Sequence, residues 1–299
     1  MSTGESPRTS ALATLALLAV TATWGSTFFL IKDLLDRVPV ADFLAVRFTV
    51  AAAALFLVAP RAVARLSPLA RRRGVVLGLV YGAAQLLQTA GLGHTSASVS
   101  GFVTGMYVVM TPLFAALLFR TRVDRTAWIA VGLATGGLAL LSLQGLVFGL
   151  GESLTLAAAA LYALHIVGLG AWSAPADALG LSVLQIAVIA AVCWAGAIPG
   201  GVVLPASGPD WASMLYMALV AGAFALLAQT WAQAHMSATR AAVVMTMEPV
   251  FASGFAVAFG GESLTVRMVA GGALVMAAMY LSELGPRHGR DAEVTHLVT

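Results

Sequence analysis

The chain has 299 residues, of which 60% are hydrophobic and only 10% are charged, and its mean hydropathy is +0.93. Soluble domains carry about 25% charged residues, so lipid must surround most of this chain. This high hydrophobic fraction leaves no room for a sizeable soluble domain. A net charge of +3, dispersed among the loops, also excludes nucleic acid as a partner.

Apolar segments follow one another along the chain, and each is long enough to cross a hydrocarbon core about 30 Å thick. The first segment follows Arg8 as a signal peptide would, but its apolar run is too long, so we predict a retained span. We predict an all-α integral membrane protein with ten transmembrane helices. These spans one to ten are residues 11–31, 41–60, 74–93, 98–119, 126–143, 153–171, 180–199, 212–233, 239–259 and 265–283.

The basic residues determine the orientation, because cytoplasmic loops are enriched in Arg and Lys. With the N-terminus inside, the inner loops hold twelve arginines and the outer loops only three basic residues, Lys32, Arg37 and Arg267. We therefore predict that the segment 1–10 and the tail 285–299 are both cytoplasmic. The Ala-, Gly- and Arg-rich composition indicates a bacterial inner membrane. The inner arginines are Arg8, Arg61, Arg65, Arg71, Arg72, Arg73, Arg120, Arg122, Arg125, Arg240, Arg287 and Arg290.

Two sequence patterns occur twice. The pattern QTxxxxHxSA begins at Gln88 and again at Gln229, and MTPLFA at Met110 returns as MEPVFA at Met247. These offsets of 141 and 137 residues give each repeat five spans. Because five is an odd number, the second copy must cross the membrane upside down, as in many secondary transporters. We predict two inverted repeats, residues 11–145 and 151–284.

Glu248 is the acidic residue that the spans place near the bilayer centre, where a charge costs at least ~2.5–3.5 kcal/mol. It could contact a substrate amine or carry a coupling proton. Alternatively, it could be a structural partner of Arg47 or of a backbone amide. We interpret Arg47, in the outer third of span two, as a structural charge that reaches the headgroups or pairs with a carboxylate.

Two prolines and two histidines are related by the repeat. Pro112 and Pro249 each free a carbonyl and bend a helix, which favours a hinge or gate over a simple packing kink. His94 and His235 fall at the outer end of span three and the inner end of span eight. They could form pH-sensitive gates or cap helices at the membrane interface.

Further candidates are polar or aromatic residues at similar depth. Amides inside apolar helices must face the bundle, where they bind a ligand or tie helices together. Aromatic rings can contact a cationic ligand or fill the core. The predicted cavity residues are Trp24, Tyr81, Gln85, Gln88, Tyr107, Tyr162, His165, Gln229, Trp231 and Glu248.

Motifs for other chemistries are missing from the sequence. There is no HExxH, no GKS or GKT phosphate loop and no GxSxG. The single Cys193 permits no intramolecular disulfide and no cysteine-based metal site. We therefore expect no metal, no cofactor and no ATP-driven pump. An intramembrane enzyme would need Glu248 beside a His or Arg, so we do not expect an enzyme.

Several short motifs in order resemble the drug/metabolite transporter superfamily and, within it, the two-domain EamA-type transporters. They are WGSTF at 24–28, RF at 47–48, MEPVFA at 247–252, GGESL at 260–264 and GG at 271–272. The resemblance implies ten helices in two inverted five-helix repeats. It also implies a central cavity between spans three, four, eight and nine, with help from one and six. The repeats differ where Thr111 corresponds to Glu248.

These observations predict a secondary active transporter that works by alternating access. The resemblance implies export of amino acids or related small metabolites. The expected partners are the lipid bilayer, a small-molecule substrate and protons as the candidate coupling ion. The alternatives are a multidrug exporter and a non-transporting membrane scaffold or accessory subunit.

The predicted orientation can be tested by cysteine labelling in a Cys193→Ser background. In right-side-out vesicles, a membrane-impermeant maleimide should label Asp36→Cys, in the loop after span one. It should label Asp177→Cys, in the loop after span six, only after the membrane is permeabilised. The opposite labelling pattern would reverse the topology.

Overall fold

The computed structural model describes residues 7–95, 97–120, 123, 125–142, 149–198, 201–259 and 264–284. The tail 285–299, most of the segment 1–10 and residues 260–263 of the GGESL motif lie outside these ranges. Within them the secondary structure is helical. The helices are α1 Pro7–Gly25, α2 Phe28–Leu35, α3 Val40–Val58, α4 Pro68–Leu92, α5 Ala97–Gly105, α6 Tyr107–Phe119, α7 Arg125–Ser142, α8 Leu150–Trp172, α9 Ala178–Ala197, α10 Gly208–Ala218, α11 Ala225–Gln233, α12 Ala238–Met245, α13 Met247–Phe259 and α14 Val266–Leu284.

Every predicted apolar segment coincides with one helix or with consecutive helices. The chain is thus a helical membrane protein, whereas the count of ten spans stays a prediction. Shorter apolar helices are Val103–Phe119, Arg125–Leu140 and Val266–Leu281. Within the described ranges, five helices are long and apolar enough to cross a membrane: Val40–Val58, Pro68–Leu92, Leu150–Trp172, Pro175–Ala197 and Gly208–Gln233.

Three of the predicted spans contain a tight turn between two α-helices, and a fourth, span eight, contains a π-helical turn between α10 and α11. Span one breaks between α1 and α2, where Thr27 N–H donates to the Trp24 carbonyl at 2.9 Å. Span four breaks at Met106 and span nine at Thr246, and at each the local N–H bonds three residues back, at 3.2 Å. These tight turns keep the backbone polar groups paired, which a membrane interior demands.

The helix breaks do not fall on the two prolines. Pro249 is the third residue of α13, where the missing N–H would have had no partner within the helix. Pro112 lies inside α6, six residues beyond the break at Met106. The predicted hinge role of both prolines stays a prediction, with the discontinuities themselves located at Met106 and Thr246.

The two halves of the chain pack on each other reciprocally. In the repeat, α8 corresponds to α1, α11 to α4 and α13 to α6. The contact of α4 with α8 is therefore matched by that of α11 with α1, and the contact of α6 with α8 by that of α13 with α1. Equivalent helices also meet directly, α3 with α9 and α7 with α14. This is the pattern of contacts expected of two repeats related by a two-fold axis.

Glycines allow two helix pairs, α4 with α9 and α7 with α14, to approach closely. On α4, a side chain at Gly78 would place its Cβ 2.7 Å from the Val188 Cβ of α9. On α7, a Cβ at Gly137 would lie 2.7 Å from the Gly271 carbonyl oxygen of α14. Small residues at such interfaces let backbones come together in membranes. By contrast, a Cβ at Gly136 would meet nothing within 4 Å.

Gly137→Ala should therefore destabilise the α7–α14 pair by about 1–3 kcal/mol, because the methyl group must displace backbone. Gly136→Ala is the matched control, since an open helical site should gain roughly 0.5–1 kcal/mol from the better helix former. Thermal melting of the two purified variants in detergent measures the difference. Equal melting temperatures would contradict this close packing.

Candidate functional site

A cavity lies where helices from both halves meet. Its empty volume is about 670 Å³, which includes solvent space at its open end. Nine of the ten predicted cavity residues line it, and Trp231 does not. The Trp231 ring instead lies against His235, with ring centroids 4.6 Å apart. The lining residues are Trp24, Thr27, Phe28, Ile31, Arg47, Tyr81, Gln85, Gln88, Thr89, Leu92, Thr104, Tyr107, Tyr162, His165, Ile166, Gln229, Met245 and Glu248.

A chain of hydrogen bonds forms one wall of the cavity. Gln85 Nε2 donates to Tyr162 Oη at 2.7 Å, and Tyr162 Oη donates to Gln88 Oε1 at 2.7 Å. Gln88 Nε2 then donates to Thr104 Oγ1 at 3.1 Å. The chain joins α4 to α8 and α5. It satisfies amide groups that would otherwise be costly in an apolar surrounding.

Aromatic rings extend this wall toward α9. Tyr81 makes edge-on contacts with Tyr162 and His165, with centroids 5.4 and 4.8 Å apart. His165 Nε2 pairs with Gln185 Oε1 at 2.8 Å, whereas its Nδ1 has no partner in the described part of the chain. The buried imidazole thus keeps one ring nitrogen for another contact.

Helix α11 closes the cavity from the other half. Gln229 Nε2 donates to Gln233 Oε1 at 3.0 Å, and Gln233 Nε2 donates to the Ile166 carbonyl of α8 at 2.9 Å. Gln229 Oε1 and Tyr107 Oη are buried without a partner among the described residues. Together with His165 Nδ1, they are polar atoms at the cavity wall that a ligand could pair.

Glu248 lies in the first turn of α13, directly after the break at Thr246, and is 8% exposed. Its carboxylate lines the cavity and has no hydrogen bond or ion pair with any residue that the structure describes. Helix α1 crosses behind it, because a Cβ at Gly25 would lie 2.9 Å from the Glu248 carbonyl oxygen. An unpaired charge is unfavourable at such a site, so the carboxylate needs a proton or a cation.

Arg47 lies in the same cavity and is 4% exposed. Its Nε donates to the Met217 carbonyl at 3.0 Å and its Nη2 to the Ala221 carbonyl at 3.5 Å. The guanidinium also lies near the rings of Phe43 and Phe48, 5.8 and 5.2 Å from their centroids. It therefore neither reaches outer headgroups nor pairs with a described carboxylate, and its partners are backbone carbonyls.

The four predicted gate residues lie away from the cavity lining. His94 is exposed just beyond α4, and His235 Nδ1 donates to the Trp231 carbonyl at 2.8 Å beyond α11. Pro112 and Pro249 are buried within their helices. A gating role for the four residues stays a prediction.

Sequence reasoning missed half of the lining residues, and three of these are threonines. The others are Arg47, which was assigned a structural role, and the apolar residues Phe28, Ile31, Leu92, Ile166 and Met245. Thr27 belongs to the WGST motif, Thr89 follows Gln88 in the repeated pattern, and Thr104 lies between two glycines four residues apart. Each threonine therefore lies in or beside a sequence motif, and the motif could have indicated that the threonine lines the cavity.

Comparison with known proteins decides the family. The EamA-like transporter family matches residues 11–143 and, a second time, residues 149–284. The chain belongs to the EamA-like transporter family. It is 29% identical over 277 residues to an uncharacterized transporter from Archaeoglobus fulgidus, covering 91% of this chain and 86% of that protein. One protein crystal structure shares the fold at 18% identity, with a TM-score of 0.77 over 91% of this chain and 96% of the other.

This membership confirms the resemblance to the drug/metabolite transporter superfamily and identifies a membrane transporter. Transporters of the EamA-like family generally move solutes and are not enzymes. Across the described residues, no group of three or more His, Cys, Asp or Glu side chains is placed to hold a metal ion.

Tyr162→Phe should destabilise this EamA-like transporter by about 1–3 kcal/mol, because it leaves buried atoms of Gln85 and Gln88 unpaired. Tyr216→Phe is the control, since it removes one partly buried bond, 2.6 Å long, to Ser26. Melting of both variants in the same detergent measures the effect. An equal or larger loss in the control would contradict the role of the chain through Tyr162.

Proposed function

We propose that this EamA-like transporter exports amino acids or similar small zwitterions by secondary active transport with alternating access. The observation that carries the proposal is the Glu248 carboxylate, which is buried, lines the cavity and has no partner among the described residues. Buried ionisable groups inside membrane proteins commonly mark substrate or proton pathways.

The ammonium group of a substrate suits the Glu248 side of the cavity. It would supply the positive charge that the carboxylate lacks. The aromatic faces of Trp24, Tyr81 and Tyr107 in the same lining favour a cation nearby. Tyr107 Oη adds an unpaired hydrogen-bonding group for a polar substrate atom.

The carboxylate of a zwitterion suits Arg47. Only Nε and Nη2 of its guanidinium bond to described residues, so Nη1 is left for a ligand in the cavity. Phe28, Ile31 and Leu92 supply an apolar surface for a substrate side chain.

The described conformation is best interpreted as outward-facing. The cavity reaches Ile31 of α2 and Leu92 of α4, which the predicted orientation places on the outer side. On the cytoplasmic side, Arg240 of α12 donates to Ser10 Oγ at 2.9 Å and to Thr14 Oγ1 at 3.2 Å, both on α1. An inward-facing form would require these contacts to separate.

A single buried carboxylate can link export to proton entry. Glu248 can hold a proton or face a substrate cation, and in a site of low dielectric constant it is costly to leave it charged and empty. The carboxylate would therefore exchange one occupant for the other. Exchange of this kind converts an inward proton gradient into outward transport of substrate.

Glu248→Gln tests this coupling in proteoliposomes that contain radiolabelled L-valine, L-threonine or L-phenylalanine. The variant should lose pH-driven transport, because the amide cannot take up and release the proton, and it should bind these amino acids more weakly, because a neutral amide lacks the charge that pairs with the substrate ammonium. Asp33→Asn, which removes an exposed carboxylate at 68% side-chain exposure, should behave as wild type.

Unchanged pH dependence in Glu248→Gln would contradict proton coupling through this residue. Transport of ethidium but of no amino acid by the wild type would favour the multidrug exporter. Failure to move either class, together with a protein partner that co-purifies, would favour the scaffold or accessory subunit.

A further inference from the structure

The polypeptide between α10 and α11 forms a π-helical turn, Leu219–Phe224. In an α-helix the Ala225 N–H would bond to the Ala221 carbonyl. Here the Ala225 N–H bonds to the carbonyls of Val220 and Gly222. The Ala221 carbonyl has thus lost its usual α-helical donor. Such turns are rare and occur frequently at functional sites.

Side chains from the first half of the chain bind the carbonyls of this turn. Trp24 Nε1 donates to the Ala221 carbonyl at 2.9 Å, and Arg47 Nη2 approaches the same oxygen at 3.5 Å. Arg47 Nε holds the Met217 carbonyl one turn earlier, at 3.0 Å. We call Trp24 and Arg47 with these two carbonyls the carbonyl clamp. Both clamp side chains also line the cavity.

The surroundings of the turn connect its shape to the rest of the site. A Cβ at Gly222 would lie 3.4 Å from the Ala51 Cβ of α3, so α3 approaches the turn closely. Downstream on α11, Gln229 lines the cavity and Gln233 bonds to α8 through the Ile166 carbonyl. A rotation of α11 would therefore move a cavity wall and its tie to α8 together.

The first half has a different arrangement at the corresponding place. Tyr162 of α8 lies near the middle of its span as Trp24 does in span one, and each faces the other half. Tyr162, however, bonds to the side chains of Gln85 and Gln88 on α4, which is α-helical throughout Pro68–Leu92. Among the described helices, the carbonyls that the clamp holds thus lie in span eight of the second half, and α4 of the first half has no such arrangement with Tyr162.

We propose that Trp24 is a positioning residue and that Arg47 both contacts the solute and holds the turn, so that the two couple the contents of the cavity to the shape of α10 and α11. An anionic group that binds Arg47 at Nη1 draws the guanidinium into the cavity and away from the Met217 and Ala221 carbonyls, because a guanidinium binds a carboxylate more strongly than a neutral carbonyl. Release of the clamp lets the Ala225 N–H return to the Ala221 carbonyl.

The expected motion follows from helix geometry. When the π-turn closes or shifts by one residue, the adjoining part of α11 rotates by about 100°, the angle that one residue contributes to an α-helix. That rotation carries Gln229 away from the cavity. The inference rests on the proposed function in that it requires a solute with an anionic group to bind near Arg47.

Hydrogen–deuterium exchange without any solute tests the clamp directly. In Trp24→Phe the amides of residues 219–226 should exchange roughly 5–10-fold faster, because a turn without its clamp interconverts between π-helical and α-helical pairing and opens its N–H groups each time. Trp194→Phe is the matched control, since its indole also donates between two helices, to Thr49 Oγ1 at 2.8 Å. That control should leave residues 219–226 unchanged.

Arg47→Lys is the second variant, because an ammonium group keeps the charge but cannot span both carbonyls as a guanidinium does. It should speed exchange over the same segment. If neither clamp variant differs from Trp194→Phe at residues 219–226, with all three folded by thermal melting, the clamp is contradicted.

Transport separates positioning from substrate contact. With radiolabelled L-valine, L-threonine or L-phenylalanine, Trp24→Phe should lower the turnover rate roughly tenfold while the half-saturating concentration changes less than about threefold. The same amino acid should speed exchange at residues 219–226 in the wild type. Equal changes in turnover and half-saturation would contradict a positioning role.

A wild type that moves none of these amino acids contradicts the proposed transport, whereas the exchange measured without solute still decides the clamp.

Discussion

The close crossing of α1 and α13 at Gly25 determines the geometry of the centre of this transporter. A Cβ at Gly25 would lie 2.8 Å from the Ala252 nitrogen and 2.9 Å from the Glu248 carbonyl oxygen, so only a glycine allows the two backbones to meet there. The crossing places Trp24, the preceding residue, beside the cavity, and it sets the first turn of α13 against the same space. Since Glu248 lies in that turn, one backbone contact positions an aromatic donor of the first half and the buried carboxylate of the second.

The requirement to pair polar groups explains most of what surrounds this crossing. Amides of Gln85 and Gln88 are paired through Tyr162, and the carbonyls exposed by the π-turn are paired by Trp24 and Arg47. The Glu248 carboxylate departs from this rule within the described residues. Gln229 Oε1, Tyr107 Oη and His165 Nδ1 also lack a partner within the described residues, and all three residues line the same cavity as Glu248.

The two halves share a packing scheme but differ in chemistry. Reciprocal helix contacts bring the same pairs of helices together in both halves. The side chains at matching places are nevertheless unequal: Thr111 corresponds to Glu248, and Tyr162 bonds to side chains where Trp24 bonds to a backbone carbonyl. A symmetric scaffold thus holds an asymmetric site.

The sequence by itself determined the helical membrane class, the position of each apolar helix and half of the cavity residues. These follow from local hydropathy and from polar residues at mid-span, which must face the interior of a bundle. Only the tertiary structure decided that Arg47 binds carbonyls and that Trp231 lies outside the cavity. It also decided that span eight contains a π-turn. Trp24 and Ala221 are separated by 197 residues, and hydropathy carries no information about which carbonyl a donor on another helix will meet.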